Sequence, residues 1–197
     1  SEDGRGLAAA TAEVIFTAHQ KLVVLGVPAE GVDQLMLDLA EHTLGGRLQV
    51  LERLQLKAVE IPVHPREGID LGALSASLKQ LPIKACWFMS SLQNPLGASM
   101  SETKKQALYD LLVEHQVPLI EDDVYAELHY GPQPPKPVKS FDDDGLVMHC
   151  GSFSKSLAPG YRVGWVAPGR YRREIAHHKL TFSLATSAPS QLGLAAY

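Results

Sequence analysis

Side chains able to do chemistry cluster at three places, each directly after a predicted buried strand. Between them they supply the amide of Asn94, a run of carboxylates, the phenol of Tyr125, several hydroxyls and the amine of Lys155. The three segments are residues 90–94, 121–125 and 152–155. Each alone is a weak signal, because an aspartate after a strand commonly caps a helix and a loop lysine is usually a surface charge. Ligands of open α/β sheets bind beyond the carboxyl ends of the strands, so the sequence predicts one site built from all three segments.

The elements that must position these segments alternate between strands and helices. The pattern predicts strands over residues 56–63, 83–89, 117–120, 145–150 and 161–166, and helices over residues 7–25, 32–40, 48–54, 71–80, 99–115 and 170–184. Asp70 opens the helix over 71–80, and Ser99 with Glu102 three residues later is a capping box for the helix that ends near His115. This alternation predicts an α/β fold with a parallel core.

Composition excludes several classes of function. The 197 residues are 45% hydrophobic and carry a net charge of -4, which suits one domain with a buried core and gives no basic face for nucleic acid. No apolar run approaches the roughly 18 residues of a membrane span, and the N-terminus lacks a signal peptide, so we expect a cytoplasmic protein. Cys86 and Cys150 are far apart in apolar runs, so we expect reduced thiols, and no metal-ligand spacing appears.

Three motifs agree in order and spacing with one known family. They are Gln93-Asn94-Pro95-Leu96-Gly97, Glu121-Asp122-Asp123-Val124-Tyr125, and Ser152-Phe153-Ser154-Lys155 followed by Arg162. Residues 83–166 resemble the large domain of fold-type-I pyridoxal-phosphate enzymes, the aspartate aminotransferase superfamily. The resemblance implies pyridoxal 5′-phosphate as cofactor and a mostly parallel mixed sheet flanked by helices. It also implies an active site at a homodimer interface that takes an amino acid or amine.

The resemblance assigns roles to individual residues. It implies that Lys155 holds the cofactor as an aldimine and acts as the catalytic base. Asp122 would pair with the protonated pyridine nitrogen and keep the ring an electron sink. Asn94 and Tyr125 would hydrogen-bond the phenolic oxygen of the ring. A cis peptide bond before Pro95 is common in the family and would aim the Asn94 side chain.

The resemblance also implies which residues bind the phosphate, and it leaves open which carboxylate of the acidic run faces the ring nitrogen. Ser152 and Arg162 would bind the phosphate, with Ser154 as a weaker candidate. The acidic run leaves an alternative open, because Asp122 is flanked by two other carboxylates and a slip of one residue would exchange their roles.

The amino-acid sequences of four segments resemble one branch of this family in particular. These segments are residues 51–58, 84–87, 120–125 and 152–160. They are similar to the aminotransferase-like domain of bacterial MocR-type regulators of the GntR family, in which a winged-helix DNA-binding domain comes first. The resemblance covers about residues 42–197, while residues 1–41 are expected to form a helical segment that matches the family poorly. DNA binding is therefore expected only through a winged helix not present in this chain.

The chain departs from the family pattern in three places. Residues 31–44 are too short for the strand, glycine- and serine-rich phosphate loop and helix of the family, and Thr43-Leu44 stands where an aromatic usually stacks on the ring. No winged-helix segment is present. The chain stops at Tyr197, before the small C-terminal domain with its substrate-carboxylate arginine. We therefore expect a fragment, a degenerate relative or a sequence with segments missing.

Three functions remain open at this stage. The first, which the branch resemblance favours, is a regulatory domain that binds pyridoxal phosphate without turnover. The second is a stand-alone class I/II aminotransferase that moves an amino group between an amino acid and a 2-oxo acid. The third is a degenerate or truncated domain without tight cofactor binding. Ser152 and Lys155 also fit the Ser-x-x-Lys motif of penicillin-binding enzymes, but the companion Ser-Asp-Asn and Lys-Thr-Gly motifs are absent.

Overall fold

Among the residues that the structure describes, the sheet that carries the site has four strands. A computed structural model of the chain describes residues 12–15 and 56–197. The strands of this sheet are β5 (Cys86–Phe88), β6 (Leu119–Asp122), β7 (Val147–Ser152) and β8 (Gly164–Ala167), in that spatial order. The first three run parallel and β8 runs antiparallel to β7. The predicted α/β class and mostly parallel mixed sheet are confirmed, and the carboxyl ends of β5, β6 and β7 lie at one edge.

Strands β5 and β6 are buried along their whole length. Every residue of β5 and of β6 is buried, as expected for parallel strands covered on both faces. Phe88 lies opposite Glu121, and Asp122 lies opposite Cys150 on β7. The polar residues that follow β5 and β6 therefore emerge side by side.

Strand β7 extends two residues further than predicted, to Ser152, because it pairs with β8. Gly151 lies opposite Trp165, and a Cβ atom at Gly151 would come within 2.5 Å of the Trp165 ring. Only glycine fits this close approach. The extension carries the backbone directly into the short helix α3 (Phe153–Ser156), which holds Lys155.

Two helices cover the sheet, and one of them begins where the sequence predicts. Helix α1 (Leu71–Gln80) starts at Asp70, whose carboxylate accepts a hydrogen bond from the Ala73 amide at 3.0 Å. Helix α2 (Glu102–His115) ends at Gln116, which has left-handed backbone geometry with φ 53°. Leu74, Leu108 and Leu112 pack with the sheet residues Leu119 and Val147 in one core cluster.

The predicted cap of α2 is wrong. Ser101, not Ser99, is the N-cap, and its hydroxyl accepts from the Lys104 amide at 3.2 Å. Ser99 instead accepts a hydrogen bond from the Leu92 amide at 2.9 Å. The hydroxyl of Ser99 therefore closes the preceding turn, and Glu102 is the first helical residue rather than the partner in a capping box.

The C-terminal region holds one predicted helix and one that was not predicted. Helix α4 (Arg172–Ser183) agrees with the prediction over 170–184. Helix α5 (Ala188–Ala195) was missed, although Ser187 caps it through the Ser190 amide and a proline lies in its first turn. These are ordinary helix-start signals. The predicted strand over 161–166 is confirmed as β8, three residues later than predicted at its start.

The prediction of a helix over residues 7–25, and hence of a wholly helical segment over 1–41, is wrong at Ala12–Ile15. These residues form strand β1, which pairs in parallel with β2 (Leu56–Val59). Apolar runs of this length do not distinguish a buried strand from a helix by periodicity. The predicted helices over 32–40 and 48–54 lie outside the described residues. The predicted strand over 56–63 is divided, because after β2 the chain forms a small antiparallel hairpin of β3 (Val63–His64) and β4 (Gly68–Ile69).

Both cysteines are free thiols, as predicted. Burial raises the pKa of the Cys86 thiol and of the Cys150 thiol well above the ordinary range. Reactive cysteines need a lowered pKa, so neither thiol is suited to nucleophilic chemistry. Among the described residues, no helix combines the length and apolar character that crossing a bilayer requires.

Candidate cofactor-binding site

The turn after β5 is fixed from inside by the buried side chain of Gln93. Its Nε2 donates to the Asn94 carbonyl at 2.6 Å, and its Oε1 accepts from the Leu96 amide at 3.2 Å. The backbone amide of Gln93 also donates to the Ala98 carbonyl at 3.0 Å. The predicted cis peptide bond between Asn94 and Pro95 is present. The result is a closed turn that presents the exposed Asn94 side chain at the strand end.

Asn94 meets Tyr125, which comes from the end of the neighbouring strand. The Asn94 Nδ2 atom donates to the Tyr125 hydroxyl at 3.3 Å. An amide and a phenol at this separation can both hydrogen-bond one further oxygen atom. Two residues that are 31 positions apart are thus brought together as the sequence predicts.

The acidic run after β6 is buried, and its first carboxylate has structural partners. Glu121, which is 0% exposed, accepts hydrogen bonds from the Ser90 hydroxyl at 2.5 Å, the Val138 amide at 2.7 Å and the Lys139 amide at 3.0 Å. Three hydrogen bonds satisfy most of the capacity of a carboxylate. Glu121 therefore holds the surrounding backbone.

The third carboxylate of the run also has a structural partner. The Oδ2 atom of Asp123 lies 2.9 Å from Nε2 of His149, and the His149 ring packs edge-on against Trp165 with centroids 5.0 Å apart. His149 is on β7, so this contact joins the end of β6 to the middle of the sheet. The flanking acids are thus engaged, and Asp122, 5% exposed, ends β6 between them.

Two hydroxyls and a guanidinium group converge after β7. The Ser152 hydroxyl accepts from the Ser154 amide at 3.1 Å and lies 3.0 Å from the Ser154 hydroxyl. The Nη1 atom of Arg162 donates to the Ser154 hydroxyl at 3.5 Å. Hydroxyls with a guanidinium fork are a donor set that suits a phosphate. Ser154, the weaker candidate of the sequence, lies between the other two.

Arg162 has a strained backbone conformation. Its φ of 52° lies in the left-handed region, which costs a non-glycine residue roughly 1–2 kcal/mol. Strain of this kind persists where the surrounding structure imposes it, and it is concentrated at ligand-binding sites. The strain is consistent with a binding role for Arg162.

The sheet register sets the spacing between these groups. Asp122 lies opposite Cys150 on the neighbouring strand, and Ser152 follows two residues later, about 7 Å further along. Lys155 is in the next turn, on α3, and its side chain is exposed. The site residues therefore form two contacting groups, Asn94 with Tyr125 and Ser152 with Ser154 and Arg162, with Asp122 on the strand between them.

This set of groups fits pyridoxal phosphate part by part. The cofactor has an aldehyde, a ring nitrogen, a ring oxygen and a phosphate, which call for an amine, a carboxylate, neutral hydrogen-bonding groups and a cationic hydroxyl-rich pocket. The chain offers candidates for these in turn: Lys155, Asp122, the Asn94–Tyr125 pair, and Ser152 with Ser154 and Arg162. The donor chemistry matches without an unassigned part.

The sequence prediction missed a buried cation beside this site. Lys105 on α2 is 1% exposed, and its ammonium group contacts Ser91, directly before the Asn94 turn. A signal was present, because Lys105 shares the helix face of the buried Leu108 and Leu112 at spacings of three and seven. A lysine on an apolar helix face is a candidate for a specific buried contact.

A cavity elsewhere in the described region does not serve the same purpose. Its volume is about 660 Å³, and its lining includes Asp110, Glu114, Asp143 and Asp144. No predicted site residue lines it, and its acidic walls would repel a phosphate. The site at the strand ends is therefore the better candidate for the cofactor.

Comparisons with known proteins show which family the chain belongs to. Residues 48–193 match the family model for class I and II aminotransferases. The chain is 50% identical over 152 residues to the uncharacterized HTH-type transcriptional regulator YdcR of Escherichia coli K12, covering 77% of this chain and 32% of the regulator. It is 33% identical over 151 residues to aromatic-amino-acid aminotransferase 1 of Thermococcus litoralis, covering 74% of this chain and 36% of the enzyme. The chain thus spans about a third of the length of the curated relatives it matches.

A solved structure shows the same fold with a form of the cofactor. The kynurenine aminotransferase of Pyrococcus horikoshii, in complex with PMP, superposes with a TM-score of 0.69 and 28% identity, covering 89% of this chain and 47% of the enzyme. Pyridoxal phosphate is the cofactor of this family, as the sequence predicts. The strand-end geometry and the family match lead to one conclusion: the chain is an aminotransferase-like domain, with HTH-type regulators among its relatives, and it belongs to the class I and II aminotransferase family.

Proposed function

We propose that this chain is the cofactor-binding part of a MocR-type regulator of the GntR family, and that it holds pyridoxal phosphate on Lys155. The observation that carries the proposal is the arrangement of Asn94 with Tyr125, and of Ser152 with Ser154 and Arg162, on either side of Asp122. The greater identity to an HTH-type regulator than to an aromatic aminotransferase, 50% against 33%, supports a regulatory role.

Each site residue has a definite task in this proposal. When bound, pyridoxal phosphate supplies an aldehyde that takes up amines and a ring that accepts electrons. Lys155 would hold the cofactor through its amine at the aldehyde carbon, and the same amine would move protons at that carbon. Asp122 would hold a proton at the ring nitrogen, while Asn94 and Tyr125 would donate hydrogen bonds to the ring oxygen.

The phosphate contacts act as an anchor. Ser152 and Ser154 donate their hydroxyls, and Arg162 adds a positive charge from a fixed backbone position. Hydrogen bonds to a charged group contribute about 1.5–3 kcal/mol each, so this group of residues would keep the cofactor in place.

The flanking acids support the assignment of Asp122 rather than its neighbours. Glu121 is bound to Ser90 and to two backbone amides, and Asp123 is bound to His149. Moving either carboxylate to the ring nitrogen would break buried contacts. We therefore keep the register in which Asp122 faces the cofactor.

The wider role of the parent protein follows from the same proposal. We infer that residues 42–197 form part of the large domain, that two copies pair to complete the site, and that the effector is an amino acid or amine. DNA would be bound by a winged-helix domain of the parent protein, which would work in the cytoplasm. A winged helix encoded upstream of this segment would support the regulator over a stand-alone aminotransferase.

The first test is a titration of the purified chain with pyridoxal phosphate, followed by visible absorbance. We expect saturable binding with a band that persists through dialysis, and loss of that band in Lys155→Ala. Lys84→Ala, at another exposed lysine, is the control and should bind as wild type does. An intact band in Lys155→Ala would refute the attachment site.

The regulator and the aminotransferase differ in turnover. Amino acids added to the loaded chain should shift its spectrum reversibly if it is a sensor, without release of a 2-oxo acid. The 33% identical aromatic aminotransferase is the reason to keep the enzyme as the second candidate. Sustained production of a 2-oxo acid with an added amino-group acceptor would decide for the enzyme.

A further inference from the structure

Lys105 is a buried charged residue with specific partners. Its side chain is 1% exposed on the face of α2 that packs into the core. The Nζ atom donates to the Ser91 hydroxyl at 2.5 Å and to the Lys136 carbonyl at 2.5 Å. Burying an ammonium group is costly unless it is well hydrogen-bonded, so these two contacts fix where the lysine and its partners lie.

Glu121 is the opposite charge of the same network. It is fully buried, and it accepts from the hydroxyl of Ser90, the residue next to Ser91. Desolvation lowers the pKa of Lys105, and the negative charge of Glu121 acts against this effect. Two adjacent serines at the end of β5 are therefore held by two buried groups of opposite charge.

The same two charges also hold a third segment of chain. Lys105 binds the carbonyl of Lys136, and Glu121 binds the amides of Val138 and Lys139. The segment 136–139 lies between β6 and β7 in the chain. The network thus connects the end of β5, the end of β6 and the approach to β7 through buried and partly buried hydrogen bonds.

The network lies directly behind two of the proposed cofactor contacts. Asn94 is three residues beyond Ser91, in the turn whose base is closed by a hydrogen bond from the Met100 amide to the Ser90 carbonyl at 2.9 Å. Asp122 follows Glu121 in β6. Its side chain points to the opposite face of the sheet, because successive side chains of a strand alternate between the two faces. Movement of either serine or of Glu121 would move a cofactor contact.

We propose that Lys105 and Glu121 are positioning residues that set Asn94 and Asp122 in register for the cofactor, a role that rests on the proposed function above. They act through Ser91 and Ser90, and they touch neither the cofactor nor its amine. The network makes the relative position of the ring-oxygen contact and the ring-nitrogen contact depend on one pair of buried charges.

The test compares Lys105→Met and Ser91→Ala with the control Lys104→Met. Methionine keeps the length of the lysine without its charge, and Ser91→Ala removes only the link to the turn. Lys104 is the adjacent lysine on the same helix, and it is only half-buried. All variants are made in the full 197-residue chain.

The first readout uses the cofactor-free protein. Native-state amide exchange should accelerate about tenfold at Gln93 and Met100 in both Lys105→Met and Ser91→Ala. The Val138 and Lys139 amides should accelerate in Lys105→Met alone, because Ser91→Ala leaves the contact to Lys136 in place. Equal acceleration throughout α1 would mean a general loss of stability and would overturn the proposal.

The second readout uses added pyridoxal phosphate. Both variants should bind it about tenfold more weakly than wild type, with a shifted pH midpoint of the visible band, while Lys104→Met matches wild type. Wild-type affinity and midpoint in Ser91→Ala would overturn the positioning role and leave the proposed function intact. Failure of wild type itself to bind would refute the proposed function, and the positioning role with it. If Lys105→Met does not fold, Ser91→Ala alone decides.

Discussion

Asp122→Asn is expected to weaken binding of pyridoxal phosphate about 10- to 100-fold. Asparagine has the shape of aspartate but no charge, so it cannot stabilise a protonated ring nitrogen. A hydrogen bond to a charged group contributes about 1.5–3 kcal/mol, and each 1.4 kcal/mol corresponds to a factor of about ten in affinity. Asp122 is only 5% exposed, so water would replace the lost interaction poorly. The affinity is measured by titration of the visible band.

Asp123→Asn is the matched control, because it makes the same change one residue away. The Asp123 carboxylate is 2.9 Å from His149, so this variant should lower thermal stability more than cofactor affinity. The reverse result, with affinity lost in Asp123→Asn and kept in Asp122→Asn, would show that Asp123 and not Asp122 pairs with the ring nitrogen.

Leu119→Ala is expected to destabilise the chain by about 2–5 kcal/mol. Leu119 is 0% exposed in β6 and is paired with Cys86 on one side and Val147 on the other. Removing its side chain leaves a cavity in the core cluster where Leu119 packs with Leu108 and Leu112. Urea unfolding followed by tryptophan fluorescence measures the change, since Trp87 lies in the adjacent strand.

Leu180→Ala is the comparison for this loss. Leu180 is 57% exposed on α4, and the same substitution there should change the free energy of unfolding by no more than about 0.5 kcal/mol. Equal effects of the two substitutions would mean that β6 is not the centre of the core.

Several helices and strands could be predicted from residues that are close together in the sequence. Helix α1 begins at Leu71 as predicted, because Asp70 can reach the backbone amide of Ala73 in a helix start. The buried strands β5 and β6 follow from short apolar runs between polar segments. Strand β5 is shorter than predicted and β6 lies two residues later than predicted, since a strand ends where its pairing ends and pairing is not visible in one sequence.

Other elements depended on long-range contacts. Strand β1 exists by pairing with β2, more than 40 residues away, and its four residues suit either type of element. Ser99 has the right residue type to cap α2, but the Leu92 amide, seven residues earlier, takes its hydroxyl. Ser101 then caps the helix, and only the path of the turn decides between the two serines.

The sequence predicted which residues form the candidate site, but not the contacts that hold those residues in place. Motifs named Asn94, Asp122 and Lys155, and the parallel sheet explains why their segments converge. The contacts that hold them were not predictable, since Lys105 reaches Ser91 and Lys136 from a different element. A buried lysine among leucines was visible in the helix pattern, but its partners were not.

The most direct test of the account is the position of the lysine that carries the cofactor. The chain is loaded with pyridoxal phosphate, reduced with borohydride, digested and mapped by mass spectrometry. We predict a phosphopyridoxyl group on the peptide that contains Lys155, which is exposed on α3, the short helix that directly follows β7. A label on Lys84, Lys136 or another lysine in its place would contradict the account.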